Sequence, residues 1–124
     1  MKRTVKITER GWASHFCCSD RCQFHRSTLL ECGKTALVVS SVGRLWKEGE
    51  KDFIQIGLDR YFETMVFYAK DDKFRDADVS KEELYLDYPD TNTPDDEIGA
   101  NDIHEKTVRM FVEKLENGDI LSKE

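Results

Sequence analysis

The sequence predicts an α+β fold in which an antiparallel sheet of about five strands, meander-like in order, is packed by one C-terminal α-helix. Three observations carry this prediction. Residues 3–8 and 61–69 alternate with the two-residue period of strands. Two runs rich in β-branched and aliphatic residues flank Cys32, Gly33 and Lys34, which have turn chemistry. Val108, Phe111, Val112 and Leu115 recur at i, i+3, i+4 and i+7, the spacing of one helix face. A chain of 124 residues fills one continuous core and not two, so a single domain over 1–124 is expected.

In chain order, Val5 and Ile7 mark a short first strand opposite Thr4, Lys6 and Thr8. Residues 11–26 show no clean period and mix Trp12, Phe16 and Phe24 with cysteines and polar groups, which predicts an irregular excursion. A hairpin follows over 27–31 and 35–42. Its Leu37-Val38-Val39 run suits a central strand, because consecutive apolar residues persist only where both faces are covered. Further strands are predicted at 53–57 and 61–69, then a turn at Lys70-Asp71-Asp72-Lys73 and a polar edge strand from Phe74 to Val79. Residues 87–100 hold both prolines and many Asp, Asn and Thr, the composition of a solvated loop. The helix is then expected to start on Asn101 as N-cap and to end at Gly118, with Glu105 and Arg109 forming an i,i+4 pair. That start places His104 in the first turn, as a surface or boundary histidine.

The groups with chemical potential lie mostly near the amino end. His15, Cys18, Cys22 and His25 follow a His-x2-Cys-x3-Cys-x2-His path, four soft donors of the kind a tetrahedral Zn²⁺ takes. All four come from one excursion rather than from two knuckles, and a plainer reading makes Cys18 and Cys22 small buried hydrophobes. No cofactor is therefore expected, with zinc as the alternative. Cys22 with His25, or Cys18 with His15, supplies a thiol and a base but no orienting carboxylate, so a small Cys/His enzyme is a further alternative. Arg21 and Arg26, beside aromatic residues, form a candidate anion site. Asp90, Asp95, Asp96 and Glu97 lack the alternate spacing and central glycine of a calcium loop and are read as an acidic partner-binding surface.

Charge is unevenly spread. Residues 1–50 carry nine Lys/Arg against five Asp/Glu, and residues 51–124 carry ten against twenty. An excess of carboxylates repels a phosphate backbone, so nucleic acid is disfavoured and a basic protein groove is the better complement. Neither a membrane-spanning run nor an apolar signal region is read, so the bacterial cytoplasm is the expected compartment, with reduced thiols.

Glu9-Arg10-Gly11-Trp12-Ala13-Ser14-His15-Phe16, with Cys18, Arg21-Cys22, Arg26 and Thr28, resembles a group of small uncharacterised proteins encoded by bacteriophages and prophages. Asp59-Arg60-Tyr61-Phe62-Glu63-Thr64-Met65 and the helix around His104 are similar to the same group, so the likeness spans most of the chain. It implies a phage accessory protein and transfers no catalytic residue. Small acidic phage proteins often resemble inhibitors of host machinery, anti-CRISPR and other anti-defence factors included. The expected function is a non-enzymatic protein-binding module directed at a host protein, with a zinc-stabilised nucleic-acid-binding module as the alternative.

Overall fold

The computed structural model describes residues 2–10, 22–45, 61–89 and 96–119. Within them, strands β1 (Lys6–Glu9), β2 (Cys22–Cys32), β3 (Thr35–Leu45), β4 (Phe62–Tyr68) and β5 (Tyr85–Asp87) precede one helix, α1 (Glu97–Glu116). The strands lie in the order β1-β2-β3-β4-β5, each antiparallel to its neighbours, so the predicted meander and C-terminal helix are both present. The strand expected over 53–57 lies outside the described residues.

The hairpin of β2 and β3 closes through two residues, because Cys32 pairs directly with Thr35. Gly33 has φ +59°, the positive value that a tight hairpin turn requires at its first central position and that glycine adopts without a Cβ clash. Leu37, Val38 and Val39 are fully buried, as a strand covered on both faces demands. Leu37 and Val39 join Leu30, Cys32, Val66, Phe111 and Leu115 under the helix, while Val38 joins Leu29, Ala36, Phe67 and Ala77 on the opposite face. Burying each such aliphatic side chain contributes roughly 1.5–3 kcal/mol, so these two clusters supply the main drive for folding. Tyr85 meets Phe111 edge-on at 5.8 Å between ring centroids and ties the edge strand to the helix.

Besides shifts of a few residues at other strand ends, two features of the sheet differ from the sequence reading. β2 begins at Cys22, so residues 22–26 extend the ladder as far as Leu45 instead of belonging to an irregular excursion. The edge strand expected over 74–79 does not form; Ala77 makes only an isolated bridge to Ala69, and the edge is β5. The cause is local: one Asp72 carboxylate oxygen accepts the N–H groups of both Phe74 and Arg75 at 2.9 Å, and Arg75 turns the chain at φ +49°.

The helix also starts earlier than expected. Asp96, not Asn101, is the N-cap, and its carboxylate accepts the Gly99 N–H at 3.0 Å. The earlier start adds a turn that carries Ala100, which is buried one turn before His104. At the other end Gly118, at φ +75°, donates to the Leu115 carbonyl and Asp119 donates to that of Lys114, the paired bonds of a Schellman motif. Asp96→Ala is expected to cost about 1 kcal/mol by leaving a first-turn N–H uncapped, a loss that urea unfolding followed by circular dichroism will measure.

Candidate functional site

Helix α1 lays Ala100, His104, Thr107, Phe111 and Leu115 on the sheet. The carboxyl-terminal pair meets aliphatic side chains, but His104 meets hydroxyls. Its Nε2 is 2.8 Å from Thr28 Oγ1 on β2, and its Nδ1 is 2.6 Å from Ser41 Oγ on β3. Ser41 Oγ in turn lies 2.5 Å from Thr64 Oγ1 on β4, and Thr28 Oγ1 donates to Glu9 Oε2 on β1 at 2.8 Å. The ladders impose this proximity, because Glu9 sits opposite Thr28 and Ser41 opposite Thr64. One imidazole therefore links the helix to four strands.

Counting protons fixes the direction of every bond in this chain. Burial alone would raise the Glu9 carboxyl, but hydrogen bonds from Arg26 and Thr28 and the nearby Arg26 charge hold it below its ordinary value. An ionised Glu9 only accepts, so the single Thr28 proton points at it and Thr28 Oγ1 accepts from His104 Nε2–H. Burial, followed by the Arg26 cation, pushes the His104 imidazole down to about 4 against the pull of Glu9 and Glu105. The ring is thus neutral at neutral pH. Its Nδ1 accepts from Ser41 O–H, and Thr64 O–H donates to Ser41 Oγ.

Arg26 closes the outer end of the network. It donates to Glu9 Oε1 at 3.1 Å and Oε2 at 2.8 Å, to Glu105 Oε1 at 2.5 Å and to Asn101 Oδ1 at 2.9 Å. Burial would lower the guanidinium, yet the hydrogen bonds it donates to the two carboxylates, and their charges, leave it above its usual range. Partly exposed ion pairs of this sort are worth about 0–1 kcal/mol each, so the larger role of Arg26 is to fix the Glu9 carboxylate onto Thr28. Glu105 thus reaches Arg26 across the helix–sheet interface, where the sequence suggested a pairing along the helix with Arg109.

A serine hydroxyl on an imidazole is the start of a nucleophile–base pair, and sequence reasoning did not single it out. Its chemistry here is constrained. Ser41 and His104 are both sealed between helix and sheet, at 1% and 0% exposure, and both imidazole nitrogens are engaged. An imidazole that holds a proton only near pH 4 is also a weak base, since general bases work best with a pKa near the operating pH. The arrangement is that of a structural link. The sequence signal is weak because a helix counted from Asn101 puts His104 in its first turn as a surface or satisfied boundary histidine, whereas it is the eighth residue of the helix and fully buried.

The surface has a different character. Phe74, Val79, Leu86 and Tyr88 are exposed along the β4–β5 connection and β5, within a stretch that also carries Asp71, Asp72, Asp76, Asp78, Glu82, Glu83 and Asp87. Of the residues singled out from sequence, His15, Cys18, Arg21, Asp90 and Asp95 lie outside the described residues. Cys22 opens β2, and His25 is exposed on the β2 face turned away from the helix. Arg26 spends four N–H bonds on Glu9, Glu105 and Asn101; Asp96 caps the helix and Glu97 follows in its first turn. Among the described residues no group of three or more His, Cys, Asp or Glu side chains could hold a metal ion, and no helix is long and apolar enough to cross a membrane.

Comparison with known proteins finds no match to the chain among family models, curated proteins or solved structures.

Proposed function

We propose that this domain is a non-enzymatic protein-binding module, a phage or mobile-element accessory protein that engages a host protein, with inhibition of a host defence as the use it serves. The observation that carries this reading is the surface of residues 71–88, where exposed Phe74, Val79, Leu86 and Tyr88 alternate with seven carboxylates. Apolar side chains kept in water cost stability that burial in an interface returns, and flanking carboxylates favour a basic counterpart while repelling phosphate. The acidic residues Asp90, Asp95, Asp96 and Glu97 continue the same negative tract in sequence. Placement of the Ser41–His104 pair under the helix supports a role in holding the fold and leaves the protein surface to do the work.

The test is recovery of a partner by the tagged full chain from bacterial lysate, followed by reconstitution of the complex from the two purified proteins. A single stoichiometric partner is expected, with affinity that weakens as salt rises from low to moderate. Recovery of no stoichiometric partner contradicts the reading.

A further inference from the structure

Residues 70–76 form a loop closed at its base by the Ala69–Ala77 bridge and by the Lys70 N–H donating to the Asp76 carbonyl at 2.7 Å. At its tip, all four backbone polar groups of Phe74 and Arg75 are engaged. Asp72 Oδ1 accepts both N–H groups, and Arg10 Nη1, arriving from just beyond β1, donates to both carbonyls at 2.8 and 3.0 Å. Arg75 is held at φ +49°, a conformation that costs a side-chain-bearing residue free energy and persists only where its surroundings impose it. The backbone is thereby fixed, while Phe74 is 63% exposed and the Lys73 ammonium lies 5.1 Å from its ring centroid.

A single exposed aromatic residue is ordinary on any surface. One displayed on a loop braced from below by an arginine 64 residues away in sequence is not explained by the needs of the loop, which a polar side chain at 74 would meet as well. Aromatic anchors whose geometry is fixed before binding lose little entropy on docking, which is why such residues dominate interface energetics. The surrounding charge selects the partner. Residues 71–87 carry seven carboxylates against Lys73, Arg75 and Lys81.

We propose that Phe74 is the anchor of the docking surface, and that it is gripped by a cationic stretch of polypeptide whose aliphatic side chains close over the ring. This rests on the protein-binding reading above and names the residue and the partner chemistry within it. Stacking of nucleic-acid bases on the same ring is the rival, disfavoured by the excess of carboxylates over cations in residues 71–87.

The experiment selects binders to the immobilised full chain from a phage-displayed library of random peptides, then measures the selected peptides and a single-stranded oligothymidylate against variants. Selected peptides are expected to combine Lys or Arg with aliphatic residues. Phe74→Ala, at an exposed position that leaves the core untouched, is expected to weaken them at least about tenfold, and Phe74→Trp to retain binding. Arg10→Lys, which keeps the charge but loses the planar guanidinium whose Nη1 donates to both carbonyls while its Nη2 reaches Ser27 Oγ, is expected to weaken them by a smaller factor, about threefold. Selected peptides that bind Phe74→Ala as tightly as the wild type overturn the anchor while leaving a binding module in place. A selection that yields no specific peptide overturns the binding-module reading itself. Oligothymidylate binding that Phe74→Ala abolishes overturns the polypeptide partner in favour of base stacking.

Discussion

His104→Ala is expected to destabilise the domain by about 3–5 kcal/mol, the range reached when a buried substitution both opens a void and strands polar groups. The imidazole is fully buried and fills the space between helix and sheet. Its removal takes the acceptor from the Ser41 hydroxyl and the donor from Thr28, in a region where no solvent replaces either. Ser41 can turn toward Thr64 and recover part of the loss, which sets the lower end of the range. Of the total, the two hydrogen bonds account for about 1–3 kcal/mol and the cavity for the rest. Urea unfolding at neutral pH will measure the effect, and a change below about 1 kcal/mol would show that the network contributes little.

The second large effect is acid sensitivity. In the unfolded chain His104 titrates near its ordinary value of 6.5, whereas in the fold the ring is held at about 4, so between these values the unfolded state binds more protons than the native one. Stability from this group is complete above the unfolded value and is lost as pH falls through that window, by about 3 kcal/mol in all. Glu9 acts in the same direction at lower pH. Its folded value is below the ordinary 4.5, so its contribution is present above that value and disappears as pH drops through the folded one. The loss therefore comes in two stages, with the histidine first. His104→Gln, which retains an amide in place of the titrating ring, is expected to be less stable at neutral pH but to flatten the first stage in unfolding curves recorded across it. An unchanged slope would assign the acid sensitivity to other groups.

The sheet and helix were legible because their signals are apolar and periodic. Leu37-Val38-Val39 marks a strand buried on both faces, Gly33 marks the turn, and Phe111 with Leu115 marks the inner face of the helix. The polar half of the same interface was not legible. Thr28, Ser41 and Thr64 carry no apolar signal of their own, yet each is buried, because the His104 imidazole bonds Thr28 and Ser41 and Ser41 in turn bonds Thr64. The helix start failed for a related reason. A stripe counted from apolar residues begins at Val108, while the buried stripe runs Ala100, His104, Thr107, Phe111, Leu115, and Thr107 is accommodated because its hydroxyl donates back to the Ile103 carbonyl at 2.7 Å. Spacing alone, carried backward from Phe111 by threes and fours, would have reached His104. The exposed Phe74 is hidden too: as part of a polar edge strand it gives no hint of the Asp72 bonds that turn the chain there or of the Arg10 bonds that brace it.

Everything proposed for the surface assumes that the one histidine on the helix is committed to the fold and not to chemistry. The most direct measurement is a ¹⁵N NMR titration of the His104 ring in the full chain. The structure predicts a neutral ring protonated on Nε2 at neutral pH, with Nδ1 shifted as a hydrogen-bond acceptor, and protonation only as pH approaches about 4. A ring that titrates near 6.5, or one that carries its proton on Nδ1, would contradict a buried link donating to Thr28 and would make His104 a candidate for acid–base work.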